Sequence, residues 1–303
     1  MTRVAAIDCG TNSIRLLVAD LDDAGLHDVT RRLEIVRLGE GVDRTGMLAP
    51  QAIERTRVVL AGYAVAIRQL DAQRVRMVAT SASRDAANAA DFTAMVTATL
   101  GQPPEVITGN DEAALSFAGA VTDIGTGTPP YLVIDIGGGS TEFVLGGSTV
   151  QAAHSVDIGC VRMTERHLRD DPPSAAQVRA AERDIVAAIA RVRERVLVAR
   201  AETVVGLAGT VTTVAAIALG LDAYDPARIH GTVLTAADVR GVAARLLTMP
   251  RAERAALSVM HPGRVDVIAA GALVLSTIVE RLRVAQVVVS EHDILDGIAL
   301  SLR

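Results

Sequence analysis

The 303-residue chain contains no lysine: all 30 of its basic residues are arginines. A Walker-type phosphate loop needs a lysine on the terminal phosphates and a Schiff-base enzyme needs a lysine amine, so both classes are excluded. Tryptophan is absent and aromatics make up only 2% of the chain, which leaves nothing for base-stacking platforms. A net charge of −5 argues likewise against a broad nucleic-acid surface. The two cysteines, Cys9 and Cys160, form neither a CxxC pair nor a zinc pattern, as expected of a reduced cytoplasmic protein. No signal peptide is visible, because the first apolar run starts at Val4 and is interrupted at Asp8. Residues 203–221 are uncharged and approach the roughly 20 residues that a membrane span requires. They carry Gly206, Gly209, Gly220 and four threonines, though, and read as strand, glycine turn and buried helix, so no membrane association is expected.

What is present is aliphatic: hydrophobic residues reach 50%, enough at this length for two cores built from Ala, Val, Leu and Ile. Residues 131–147 read YLVIDIGGGSTEFVLGG. Two apolar runs flank Asp135, Gly137, Gly138, Gly139, Ser140, Thr141 and Glu142. The pattern predicts a β-hairpin whose turn has bare backbone N–H groups, two hydroxyls and two flanking carboxylates. Such a turn suits a phosphate held beside a divalent cation. A flexible hairpin turn with solvated acids is the other reading of the same residues. Residues 4–21, VAAIDCGTNSIRLLVADL, repeat the pattern. Setting Asp8 on Asp135 also sets Gly10 on Gly137 and Ser13 on Ser140, with apolar runs on both sides. An internal repeat of this kind predicts two related domains facing each other across a cleft. One aligned pair differs, since Arg15 falls opposite Glu142. On this reading one loop offers a cation to phosphate and the other a carboxylate to metal, with Asp8 a third candidate metal carboxylate.

Other strand ends add to this. A strand at 203–205 runs into a Gly206–Gly209 turn, and a helix from 211 to 219 would place Gly209 and Thr210 at its N-terminus, where free N–H groups attract phosphate. A strand at 75–79 ends in Thr80-Ser81-Ala82-Ser83-Arg84-Asp85, and hydroxyls with an arginine at a strand-to-helix junction suit an anion, or merely a helix cap. Asp111 and Glu112 open a helix running to about residue 121; acids there ordinarily complement the macrodipole. Further strands are expected at 33–41, 105–107 and 287–289. Helices are expected at 51–70, 88–100, 174–200 (arginine-rich, with a solvated face), 267–282 and 294–302. The Gly/Thr/Pro-rich segment 125–130 reads as a linker. It divides the chain into domains at 1–124 and 125–291, with 292–303 as a closing helix.

Taken in order, Asp-x-Gly-Thr-Asn-Ser-x-Arg at 8–15, Thr-Ser-Ala-x-Arg-Asp at 80–85, Asp-Glu-Ala at 111–113, Asp-x-Gly-Gly-Gly-Ser-Thr-Glu at 135–142 and Gly-x-x-Gly-Thr at 206–210 resemble one family. It is the exopolyphosphatase / guanosine-pentaphosphate phosphohydrolase family, within the superfamily of actin, sugar kinases and chaperone ATPases. The resemblance covers essentially the whole chain. It implies an α/β protein of two ribonuclease-H-like (actin-like ATPase) domains around a cleft, with the final helix crossing back onto the first. It implies a divalent metal, Mg2+ or Mn2+, and a homodimer. By the same resemblance Glu112 is the glutamate that positions or deprotonates the attacking water, and Asp135 and Glu142 lie near the metal and terminal phosphate. Thr11, Asn12, Ser13, Arg15 and Arg84 become phosphate contacts of the first domain, and residues 137–141 with Gly209 and Thr210 those of the second. The implied reaction is release of terminal orthophosphate from polyphosphate or guanosine pentaphosphate. A kinase of the same superfamily is one alternative, which transfer to a sugar or acid rather than to water would reveal. A non-hydrolysing sensor of polyphosphate or a guanosine polyphosphate is another, although Glu112, Asp135 and Glu142 are all retained.

Overall fold

The computed structural model describes residues 2–122, 124–125 and 127–303. Positions 123 and 126, beside and within the linker expected at 125–130, lie outside the described residues. The chain forms two compact units, one of residues up to 119 together with 292–303 and one of 120–291.

The first unit contains β1 (Thr2–Cys9), β2 (Ser13–Asp22), β3 (Gly25–Ile35), the single turn α1 (Val42–Thr45), α2 (Pro50–Gln69), β4 (Arg74–Ala79), α3 (Ser81–Asp85), α4 (Ala89–Leu100), β5 (Glu105–Val106) and α5 (Gly109–Val121). The second contains β6 (Tyr131–Ile136), β7 (Thr141–Gly146), β8 (Val150–Val156), α6 (Cys160–His167), α7 (Ala175–Arg195), β9 (Thr203–Leu207), α8 (Ala208–Ala218), α9 (Pro226–Ile229), β10 (Val233–Thr235), α10 (Ala236–Thr248), α11 (Arg251–Ala255), α12 (Ile268–Leu282) and β11 (Gln286–Val289). A last helix, α13 (Ile294–Leu300), belongs to the first unit.

Both sheets have the same plan. The first runs β3-β2-β1-β4-β5 and the second β8-β7-β6-β9-β11, with β10 added on the outer edge of β11. In each, an antiparallel three-stranded meander is followed by parallel crossovers. This is the ribonuclease-H-like order, present twice, and the repeat detected in the two hairpins is therefore a repeat of whole units. The continuous apolar run of β1 has a simple cause: the strand is covered on both faces. Alternate residues serve alternate cores. Ala5, Ile7 and Cys9 pack with Leu60, Tyr63 and Ile67 of α2 and with Phe92 of α4. Val4 and Ala6 pack with Ile294, Leu295 and Ile298 of α13. In the second unit α7 buries Ala181, Ile185, Ala188, Ile189 and Val192, one helical face, behind a capping box of Ser174 and Gln177.

Several boundaries differ from the sequence expectation. The strand expected at 33–41 lies earlier, at Gly25–Ile35, and its exposed outer face explains why its polar first half gives no apolar signal. β8 and β10 are strands that the pattern did not reveal; each is an edge strand with few buried residues. The arginine-rich helix stops at Arg195, and residues 198–200 form a separate 3-10 turn. Among the described residues no helix is long and apolar enough to cross a membrane.

α13 approaches α5 through two glycines. A Cβ on Gly297 would lie 2.0 Å from the Leu115 carbonyl oxygen, and one on Gly119 would lie 1.9 Å from that of Asp293. Backbone atoms cannot swing aside as a side chain can, so a methyl group here must push the helices apart. Gly297→Ala is expected to lower the unfolding free energy by about 1–3 kcal/mol. In hydrogen exchange, amide protection should fall first in α13 and β1; unchanged protection there would count against this packing.

Candidate functional site

Each unit carries one hairpin turn of the same geometry. In the first, β1 ends at Asp8 and Cys9, and the turn closes with Gly10 N–H donating to the Ser13 carbonyl at 2.9 Å. In the second, Gly137 N–H donates to the Ser140 carbonyl at 3.1 Å, at the positions the sequence repeat aligns. A loop braces the first turn from outside. Val36 and Arg37 donate to the Asn12 carbonyl and Gly39 to that of Thr11. Gly39 must be glycine, because a Cβ there would lie 2.3 Å from Thr11 Cγ2. The Thr11 hydroxyl lies 2.9 Å from that of Ser81. Ser83 Oγ is buried with no hydrogen-bond partner.

The acid pair at the start of α5 divides its work. Asp111 is exposed and caps the helix reciprocally with Thr108, accepting from Thr108 N–H and Oγ1 while Thr108 Oγ1 accepts from Asp111 N–H. Glu112 is only 8% exposed and its Oε2 accepts from Arg84 Nη1 at 3.2 Å. The same Arg84 nitrogen also donates to the Ile107 carbonyl. Macrodipole and capping needs are met by Asp111, so they do not account for Glu112, which a guanidinium holds in one orientation. Arg84, expected as a phosphate contact, is thus also the partner of the expected water-positioning acid.

The second turn rests on α6. Gly159, Cys160, Val161 and Arg162 donate backbone N–H groups to the carbonyls of Gly137, Gly138 and Gly139, and Arg162 Nε adds a bond of 2.8 Å to the Gly139 carbonyl. A Cβ on Gly159 would come within 2.3 Å of Gly138 backbone atoms. The Thr141 hydroxyl donates to the Ile158 carbonyl, so that side chain anchors the turn. Ser155 Oγ donates to Glu142 Oε1 at 2.7 Å.

Strand register sets the charges. Asp8 is directly opposite Arg15 across β1 and β2, and Asp135 is directly opposite Glu142 across β6 and β7. The first pair compensates itself, for Arg15 donates Nε and Nη2 to Asp8 Oδ2 at 3.0 and 2.6 Å. Its Nη1 donates to Asp293 Oδ2. Burial pushes the Asp8 carboxyl up against the pull of Arg15, and the balance lies above the ordinary value. The second pair sets two carboxylates face to face, Asp135 at 6% and Glu142 at 1% exposure. Directly opposed like charges are destabilising, and more so away from water.

The third turn is tighter than the sequence suggests. α8 begins at Ala208, which adopts a left-handed conformation at φ 67°, so Gly209 and Thr210 lie within the first turn. The Arg264 guanidinium lies against Gly209, where a Cβ would meet its Nη2 at 2.6 Å. Arg264 Nη1 donates to Thr213 Oγ1 at 2.9 Å, and its guanidinium carbon is 6.0 Å from the Tyr224 ring centre. Tyr224 Oη lies 2.7 Å from both Thr212 Oγ1 and Glu291 Oε1. Burial, with Glu291 beside it, pushes the Tyr224 hydroxyl up to about 12. A cation over a glycine at a helix N-terminus is suited to an anion. Sequence reasoning missed Arg264, whose His-Pro-Gly-Arg loop lies 55 residues beyond Gly209, and Asp293, which resembles a simple helix cap.

A model of the Ppx/GppA phosphatase family matches residues 17–303. Exopolyphosphatase 2 of Mycobacterium tuberculosis is 52% identical over 315 aligned positions, covering 100% of this chain and 99% of its own. The chain belongs to the Ppx/GppA phosphatase family. A crystal structure of an exopolyphosphatase-like protein superposes with a TM-score of 0.97 at 42% identity, covering 99% of this chain and 97% of that one. The Aquifex aeolicus PPX-GPPA enzyme gives a TM-score of 0.83 at 33% identity, covering 99% of both chains. This Ppx/GppA chain is accordingly an enzyme, a phosphoanhydride hydrolase, and its two α/β units are those of the actin-like ATPase fold.

The Gly159 contact gives a test of the second turn. Gly159→Ala should leave the far-ultraviolet circular dichroism unchanged while lowering phosphate release by at least about tenfold, since a shift near 1 Å in a positioning element costs up to about a hundredfold. Full activity would mean that the turn's place on α6 is immaterial.

Proposed function

We propose that this chain releases orthophosphate from the end of inorganic polyphosphate, of guanosine pentaphosphate, or of both, with a divalent metal. The observation that carries this is the Asp135–Glu142 pair, two buried carboxylates directly opposed at the mouth of a triglycine turn. Among the described residues no group of three or more acidic, His or Cys side chains is arranged to hold a metal ion. Mg2+ fits such a place well, because it usually binds through one or two carboxylates, keeps several waters and takes the rest from substrate phosphates. Asp135 and Glu142 would hold it, and Asp8, with Oδ1 buried and lacking a hydrogen bond, remains a further candidate. When bound, the ion supplies charge neutralisation at phosphate oxygens.

The chain's own groups do the rest. Phosphoryl transfer to water has a loose transition state, so placement and neutralised oxygens matter more than a strong base. Glu112, oriented by Arg84, is the candidate for aligning the attacking water. Backbone N–H groups at Thr11, Asn12 and Ser13 and across residues 138–141, the Gly137 N–H being spent on the Ser140 carbonyl, are the candidates for phosphate oxygens, and Gly209 and Thr210 with Arg264 for a further anionic group. Two buried free thiols support a reducing cytoplasm, while a homodimer rests on the family resemblance alone.

Glu112→Gln should lower kcat for phosphate release from polyphosphate by about 100-fold or more with little change in KM. Near wild-type kcat would remove Glu112 from the reaction. A panel of polyphosphate, guanosine pentaphosphate and a nucleoside triphosphate, compared by kcat/KM, decides the substrate. Transfer of phosphate to a sugar or acid in place of water would overturn the hydrolytic reading. For the metal, Glu142→Gln should weaken Mg2+ binding measured by calorimetry in the absence of substrate by about tenfold. Equal affinity in both proteins would place the ion elsewhere.

A further inference from the structure

Family resemblance makes Arg15 a phosphate contact, yet its side chain is already engaged. Three guanidinium nitrogens donate to carboxylates: Nε and Nη2 to Asp8 Oδ2, and Nη1 to Asp293 Oδ2. All three side chains are largely out of solvent, Arg15 at 17% and both acids at 7% exposure. Asp293 is held just as firmly from its other side. Its Oδ1 accepts from Leu295 N–H, and its own N–H donates to Asp296 Oδ2 in the capping box of α13. Asp296 in turn accepts from Arg31 of β3 and pairs with His292. The connection therefore runs from the closing helix through Asp293 and Arg15 to Asp8, at the threshold of the first turn.

Asp8 is held by one oxygen only. Arg15 fixes Oδ2 with two donors, and Oδ1 is left buried without a hydrogen bond. Two donors converging on one oxygen, with Arg15 fixed opposite Asp8 by strand register, hold that oxygen in place and leave the other for a further partner. Buried acceptors are ordinarily satisfied, so an oriented acceptor without a partner marks a place where a ligand's donor or a cation completes the arrangement.

We propose that Asp293 and Arg15 are positioning residues for Asp8, and that Arg15 does not itself bind substrate phosphate. Arg15 fills, in the first unit, the place across the hairpin where the second unit has Glu142, and it brings a fixed internal cation to its opposed aspartate. Asp293 balances that cation and holds it at a set distance, so the docking of α13 sets the orientation of the turn's carboxylate. This rests on the hydrolytic reading above, in which Asp8 is a further candidate to hold the metal.

The test is a double-substitution cycle on the intact protein, with phosphate release from polyphosphate as the readout. Asp293→Asn retains a good helix cap, so the fold should survive. It should lower kcat by about 10- to 100-fold with KM within about twofold, as loss of placement does. Arg15→Gln should lower kcat to a similar extent, again with KM little changed. A phosphate contact would instead show as a large rise in KM. In the combined variant the kcat losses should not multiply, because one residue acts through the other. Melting should show the combined variant to be more stable than Arg15→Gln alone, since the latter leaves two buried carboxylates without their cation. Arg15→Lys keeps the charge but not the fork, so it should recover stability and little of kcat. Arg76→Gln, which removes a bond to Ser301 at the far end of α13 and leaves Asp293 and Asp296 in place, serves as the control, with kcat within about twofold. Multiplicative losses, a KM effect at Arg15, or an equal kcat loss in Arg76→Gln would each overturn the proposal. A wild-type protein without phosphate release from any polyphosphate or guanosine pentaphosphate would instead overturn the functional reading on which it rests.

Discussion

Two residues that face each other across the base of a hairpin decide what that hairpin needs in order to be stable. In the first unit they are Asp8 and Arg15, and the pair supplies its own cation. In the second they are Asp135 and Glu142, and it does not. The turns are otherwise alike in closure and in strand order, so the difference comes down to one side chain in an architecture used twice. Opposed carboxylates buried on a sheet are costly unless something positive lies with them, and a reaction that handles phosphate needs a cation in any case. A pair of opposed carboxylates that a metal and substrate would further compensate ties the binding of both to the stability of the turn.

The rest of the fold serves to keep these turns still. A glycine-rich turn has little intrinsic preference for one conformation, and each is fixed from outside. Residues 36, 37 and 39 brace the first by backbone bonds to Thr11 and Asn12. The N-terminal amides of α6 and the Arg162 side chain hold the second by its carbonyls. Glycine thus appears in two roles, as the substance of a turn and as the gap through which another segment touches it. Gly39, Gly159 and Gly209 are of the second kind, with a side chain or backbone lying where their Cβ would be.

Much of this is legible from sequence for a physical reason. Apolar runs that end in Asp, Gly and hydroxyl residues report a buried strand delivering a polar turn, and that signal is local. The 127-residue offset between the hairpins predicted two related units, while the pairing of Asp8 with Arg15 and of Asp135 with Glu142 emerges only from the strand register. Edge strands such as β3 and β8 were obscured because only one face is covered, which removes the apolar signal. Contacts between distant segments leave no local trace at all. Arg264 reaches Gly209 from another loop, and Asp293 reaches Arg15 across 278 positions while looking, in sequence, like an ordinary helix cap.

That last contact changes what Arg15 is for. An arginine two residues past a phosphate-type turn invites assignment as a ligand of phosphate, and from the motif alone no other reading is better. A guanidinium has five N–H donors, and here three of its nitrogens are committed to two buried aspartates. Those bonds are in place before any substrate arrives, so Arg15 has little left to offer a phosphate oxygen. An anion approaching such a triad must displace an aspartate from the guanidinium, which opposes binding to Arg15. The two turns thus differ at one register position, where Arg15 stands opposite Asp8 in the first and Glu142 opposite Asp135 in the second.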